Sequence, residues 1–247
     1  MKNKLRRRRL FSLACAAALT TIMWSSIGLS QETAASESIT AIDILLEPDA
    51  TMLEKAEATN ARLLRAFPKG FALDETHRAH VTVIQRFVRT ADLDKVYAAA
   101  NQVLAQSRVK DMRLEAFKYF YIPTGEVGLA GIVVKPTTKL LGLQADLLAA
   151  VSPHTVENGD SAAFVTTPND PVIDPVLIAY VSNFARNASG EKFSPHVTTG
   201  VALKTDLDKM LAEPFEAFSF SPAGAAVYQL GQFGTAAKKL KQLSLAK

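Results

Sequence analysis

Cysteine is almost missing from this sequence. The one that exists, Cys15, lies with the one tryptophan, Trp24, in the first thirty residues. If that segment is removed, disulfides, thiolate metal ligands and a cysteine nucleophile are excluded together. Histidine is scarce as well: His77, His80, His154 and His196 are the full set, too few for a histidine-rich metal centre, so no metal and no cofactor is expected. A long uninterrupted apolar run is also lacking. The best stretch, 10–23, is broken by Ser12, Thr20 and Thr21 and is marginal for a bilayer crossing. Finally, there is no surplus of positive charge outside the leader. Six of the 28 basic residues and none of the 24 acidic ones lie within 1–30, so the remainder carries 22 against 24, near −2 rather than the +4 of the whole chain. A long nucleic acid is therefore not favoured as a partner, because such binding depends on many Lys and Arg contacts to phosphate.

What residues 1–30 do have is the anatomy of a signal peptide. Arg6 to Arg9 precede the apolar stretch, and the small polar residues Ser25, Ser26, Gly28 and Ser30 follow it. Arg8-Arg9-Leu10-Phe11 also resembles a twin-arginine signal. The expectation is an exported protein, periplasmic or secreted, monomeric and without stable membrane association once the leader is gone. Residues 31–38 are small and polar and read as a flexible lead-in. About 210 residues remain, enough for one sizeable domain or two fused lobes.

Along that remainder, 39–46 is a β-branched apolar run that reads as a strand. Asp49 can cap a helix over 51–66, whose apolar face carries one polar exception, Asn60. The run 80–88 is a buried strand, 91–106 a helix, and 113–121 and 127–134 two strands. Helices are expected at 138–151, 175–186 and 206–211. Strands are expected at 162–166, 196–202, 215–221 and 225–230. A basic helix over 235–243 ends the chain.

Two short identities recur in the same order. His-Val-Thr occurs at 80–82 and 196–198, and Asp-Leu-Asp-Lys at 92–95 and 206–209, each followed by a helix and a strand pair. This implies an internal duplication and two lobes related by an approximate twofold axis, roughly 39–135 and 136–247. The fold class is α+β, with two pseudo-symmetric lobes, each an antiparallel-rich sheet with helices outside, and a central cleft between the sheets.

Alternate side chains of a strand share a face, so His80 projects with Thr82 and His196 with Thr198. Across one cleft these groups suit phosphodiester cleavage. A neutral imidazole can take a proton, a protonated one can give a proton to the leaving oxygen, and the hydroxyls can hold the phosphate oxygens. Either histidine alone would be read as structural; the duplicated context favours catalysis. Sequence does not decide which is acid and which is base.

The paired motifs, with the closing segment 227–234, resemble the 2H phosphoesterase superfamily, which includes 2′-5′ RNA ligase-like proteins and cyclic nucleotide phosphodiesterases. The resemblance implies His80, Thr82, His196 and Thr198 as catalytic positions. It also implies metal-independent hydrolysis of a 2′,3′-cyclic phosphate or a 2′-5′ linkage in a small phosphodiester or short oligonucleotide. Tyr228, Phe193 and Arg86 are further candidates for substrate contact, Arg86 because it is evenly spaced from His80. Two alternatives stand beside this reading: an exported, non-catalytic binding protein for a phosphorylated ligand, and a phosphodiesterase for a non-nucleotide substrate of the cell envelope.

Overall fold

The structure, a computed structural model, describes residues 37–245. The leader falls outside them, as does most of the lead-in. The last two lead-in residues, Glu37 and Ser38, are held: Arg89 Nε donates to Glu37 at 2.8 Å, and Thr90 N donates to the Ser38 carbonyl at 2.8 Å.

Nine strands form two antiparallel sheets. The first contains β1 (Ile39–Pro48), β2 (Val81–Arg89), β5 (Thr155–Val156), β8 (Pro222–Leu230) and β9 (Ala236–Leu243), in the order β5-β2-β1-β8-β9. The second contains β3 (Leu114–Thr124), β4 (Val127–Val134), β6 (His196–Leu203) and β7 (Phe218–Phe220), in the order β6-β4-β3-β7. Five helices accompany them: α1 (Ala50–Ala66), α2 (Leu93–Gln106), α3 (Thr138–Val151), α4 (Pro175–Asn187) and α5 (Lys204–Ala212). Three begin at side-chain caps that satisfy otherwise unpaired N–H groups. Asp49 accepts from Met52 N, Thr137 from Leu140 N and Asp174 from Val176 N.

The sheets follow from burial. β1 is buried almost throughout, and its Ile42, Ile44 and Leu46 join Val96, Ala100 and Leu104 of α2 and Leu140, Leu143 and Leu147 of α3 in one apolar cluster. Helices α1 and α5 cover the second sheet, where Leu63, Leu207 and Met210 meet Ala130 and Ala202. Burial on this scale is the main force holding the layers, at about 25 cal/mol per Å² of apolar surface.

The sheets do not follow the sequence division at about residue 135. The first takes β1 and β2 from before that point and β5, β8 and β9 from after it, while the second takes β3 and β4 from before it and β6 and β7 from after it. Helix α1, which follows β1, packs on β6 rather than on its own sheet. Each half of the chain closes the other's sheet, so the repeat is intertwined.

Two local expectations are corrected. The basic segment 235–243 is not a helix but β9, paired antiparallel with β8 from Ala225↔Leu243 to Leu230↔Ala236. Its composition suits a helix. The free edge of β8 overrides that preference, and the exposed Lys238, Lys239 and Lys241 suit an edge strand that must not pair further. The strand expected at 162–166 is instead a single 3-10 turn, Ser161–Ala163, and the short strand of that region is β5.

Candidate active site

Both motif strands carry the same irregularity. In β2, Ile84 pairs with Ile44 and Thr82 with Leu45, so Val83 is an extra residue. In β6, Gly200 pairs with Ala130 and Thr198 with Gly131, so Thr199 is extra. A β-bulge thus follows the motif threonine in each lobe, re-aiming the strand at that point. In β6 the bulge leads into Gly200 at φ +142, a conformation that side-chain-bearing residues rarely adopt.

Each bulge is braced by a buried amide on a helix. Asn60 of α1 donates to the Thr199 carbonyl at 2.9 Å and to the Phe71 carbonyl at 2.9 Å, and accepts from Leu73 N at 3.1 Å. Gln144 of α3 donates to the Val83 carbonyl at 3.0 Å and to the Ala188 carbonyl at 3.1 Å, and accepts from Gly190 N at 3.1 Å. Each amide therefore ties the bulge of one motif strand to the loop that leads into the other. These are the polar exceptions on otherwise apolar helix faces, and they satisfy backbone groups that would be costly to bury unpaired.

The histidines are oriented alike. His80 Nδ1 lies 2.6 Å from the Arg78 carbonyl and His196 Nδ1 lies 2.9 Å from the Ser194 carbonyl, each two residues back. A carbonyl accepts only, so Nδ1 carries hydrogen in both; Nε2 has no hydrogen-bond partner among the described residues in His196, while in His80 it lies 3.1 Å from Thr82 Oγ1. His80, Thr82, His196 and Thr198 line one cavity of about 210 Å³, with Gln85, Tyr180 and Gln232. The four expected positions are thus brought together between the sheets.

Their surroundings differ. Asp43 of β1, with no solvent exposure, sits under His80: its Oδ2 accepts from Thr82 Oγ1 at 2.6 Å and from Gln85 Nε2 at 3.0 Å, and lies 3.3 Å from His80 Nε2. Asp43 Oδ1 is buried without a partner. Burial opposes charge on His80, but the Asp43 carboxylate outweighs it and raises this imidazole above its usual pKa. His196 is pushed below that value, by burial first, with the neighbouring His80 charge adding to it. Burial, then the Asp43 charge, pushes the Tyr180 phenol up to about 12, so it remains a hydrogen-bond donor at neutral pH.

The cavity mouth is apolar. Val176 is 75% exposed, Ile122 47%, Tyr180 42% and Phe233 36%; these are four of the seven exposed large apolar side chains among the described residues, and all four line this cavity. Phe233 is held at φ 63, a left-handed conformation unusual for a side chain of its size. No Lys or Arg is among the lining residues. A second cavity of about 220 Å³ shares Thr82, Tyr180 and His196 and continues past Phe120, Lys192 and Phe193.

Of the weaker candidates, Phe193 is therefore beside His196. Tyr228 lies on another side, lining a more open cavity with His80 and Arg78, and Lys239 Nζ sits 5.4 Å from its ring centroid. Arg86 does not reach the cleft. The bulge at Val83 reverses the alternation, so Gln85 shares the face of Thr82 and Arg86 turns away to donate to Thr155 Oγ1 at 3.0 Å. His77 ties two loops, with Asp74 and Asp170 each 3.1 Å from a ring nitrogen. His154 lies away from the cleft, beside α2 and α3. Sequence reasoning missed Asp43, Gln85, Asn60 and Gln144 as contributors to the site. A lone acid inside the apolar run of β1, and single amides on apolar helix faces, were the signals available.

Two lobes, each presenting one His-Val-Thr strand to a shared cleft, make a bilobal α+β fold. Among solved structures, TT0787 of Thermus thermophilus superposes with a TM-score of 0.51 at 16% identity, over 83% of this chain and 98% of that one. E. coli LigT gives TM-scores of 0.40 in complex with phosphate and 0.42 in complex with 3′-AMP, each at 12% identity over 85% of this chain and 99% of LigT. Of these, the likeness to TT0787 speaks for the fold alone. No family model matches the sequence, and no curated protein is found similar to it.

Proposed function

We propose that this protein is an exported 2H-type phosphoesterase that hydrolyses a phosphodiester by acid–base catalysis with two imidazoles. The observation that carries the reading is the double one at the cleft: two His-x-Thr units on equally bulged strands, with both Nδ1 atoms committed to carbonyls and both rings lining one cavity. One imidazole removes a proton from water as its oxygen attacks phosphorus, and the other gives a proton to the departing oxygen. Thr198 Oγ1 and the Tyr180 hydroxyl are donors available to the non-bridging oxygens. The proton chemistry is complete with these side chains.

The test is turnover of 2′,3′-cyclic nucleotides and 2′-5′-linked dinucleotides in EDTA. His80→Ala and His196→Ala are expected each to lower kcat/KM by roughly 10²–10⁴-fold while circular dichroism stays unchanged. Equal activity in all three proteins would sink the reading.

A specific observation favours a second reading of the substrate. The mouth formed by Ile122, Val176, Tyr180 and Phe233, with Lys192 of the adjoining cavity as the one cation lining either, suits a singly charged diester with an apolar substituent better than an oligonucleotide bearing further phosphates. A non-nucleotide diester of the cell envelope has that chemistry. Val176→Ser should raise KM several-fold for an acyl- or aryl-bearing diester and leave KM for a methyl diester unchanged; a uniform change across both would remove this preference.

A further inference from the structure

The pseudo-symmetry of the two motif strands breaks at one pair. Counting three residues on from the motif threonine, Gln85 faces Asp43 in the first sheet and Val201 faces Leu129 in the second. A carboxylate thus stands beside one histidine where the other lobe has a leucine, and Leu129 itself lines the cavity.

The hydrogen-bond polarity around His80 is settled by its partners. Thr82 gives its hydroxyl hydrogen to Asp43 Oδ2 at 2.6 Å, so towards His80 Nε2, 3.1 Å away, Thr82 Oγ1 presents lone pairs. Nε2 therefore faces two acceptors, Thr82 Oγ1 and Asp43 Oδ2, while Nδ1 faces a third, the Arg78 carbonyl. An imidazole whose two nitrogens both meet acceptors is satisfied only when both carry hydrogen. Asp43, fully buried and with Oδ1 unpartnered, in turn needs a positive neighbour, because an unpaired buried charge is costly. At His196 only Nδ1 is committed; among the described residues Nε2 has no hydrogen-bond partner, and Phe120 packs edge-on to the ring at 4.8 Å.

Resting on the phosphodiesterase reading above, we infer that Asp43 is the positioning residue that fixes the direction of catalysis, making His80 the proton donor to the leaving oxygen and His196 the base that activates water. In the step, His196 Nε2 takes a proton from water as the new O–P bond forms. The ester O–P bond breaks, its electron pair stays on the leaving oxygen, and the Nε2 proton of His80 moves to that oxygen. Solvent then resets both rings. The other charged or titratable groups around His80 are His196, Tyr180 and Asp174 in the cleft and, on its outer side, Arg78, His77, Asp74, Glu75, Glu47, Glu57, Tyr228 and Lys239. Of these, Lys239 is engaged by Glu47 at 2.6 Å.

Two measurements test the assignment. The first compares leaving groups. A cyclic nucleotide expels an alkoxide that needs a proton, whereas bis(4-nitrophenyl) phosphate expels a nitrophenolate that does not. Asp43→Asn and His80→Ala should each cost on the order of 10²-fold in kcat with the former and no more than about threefold with the latter, while His196→Ala should suffer with both. Rescue of His196→Ala by the nitrophenyl diester, or equal losses for Asp43→Asn on the two substrates, would overturn it. The second needs no turnover: NMR titration of the wild-type imidazoles should find His80 losing its proton at higher pH than His196, with the gap closing in Asp43→Asn. The reverse order, or a gap untouched by that change, would defeat the assignment even in a protein with no phosphodiesterase activity. Absence of turnover alone would defeat only the reading on which it rests.

Discussion

The strands β2 and β6 begin from the same tripeptide, bend at the same place and hold their histidines by the same backbone contact, yet they meet different neighbours. Under the first lies Asp43, and under the second Leu129. What the two share brings two imidazoles and two threonines to one cavity. What they do not share is the basis of the direction proposed for the site. A duplicated scaffold supplies two equivalent imidazoles, and a single buried carboxylate on a neighbouring strand makes them unlike.

That comparison can be strained experimentally. The largest effect is expected at the two threonines. Thr82 has its hydrogen committed to Asp43, whereas Thr198 has no such acceptor among the described residues. Thr198→Val should therefore cut kcat by about 10²-fold through loss of a donor to the phosphate. Thr82→Val should instead appear first in stability, lowering it by about 1–3 kcal/mol as Asp43 loses a donor. Urea unfolding alongside steady-state kinetics separates the two; identical profiles would mean that the threonines are interchangeable.

A smaller and symmetric effect is expected from the braces. Asn60→Leu and Gln144→Leu each leave buried backbone groups unpaired and should destabilise the fold by about 1–3 kcal/mol. Because each amide joins one bulge to the opposite motif loop, each change should also lower activity on both sides of the cleft. A stability loss confined to one variant would show that the two clamps are not equivalent.

The subtlest consequence is in the pH profile. His196, held low, must be neutral to act as base, so activity should fall only as pH drops below the ordinary imidazole range near 6.5. His80, held high, must be protonated, so activity should fall on the alkaline side only above that range. The plot of kcat/KM against pH is therefore a broad bell, and Asp43→Asn should move its alkaline limb downward while leaving the acid limb nearly in place. A narrow bell centred on 6.5 in the wild type would contradict the inequality of the two rings.

Much of the frame was legible beforehand because it depends on local patterns. The apolar run of β1, the helix capped by Asp49, and the repeated His-Val-Thr each announced themselves within a few residues. The errors share a physical cause: they depend on what a segment pairs with. The Ala- and Lys-rich end became β9 because β8 offered an edge. Arg86 was placed on the cleft side by an alternation that the bulge at Val83 reverses, and a bulge is set by the partner strand and by the Gln144 amide, neither of which lies nearby in the chain.

The sequence by itself determined that two like units would each offer a histidine and a threonine, since identical tripeptides in matched strand contexts favour the same local geometry. Only the tertiary structure decided how the halves interlock and which side chains stand beside each ring. Those outcomes depend on electrostatics and pairing between residues dozens of positions apart, and distances of that kind exist only once the chain has folded.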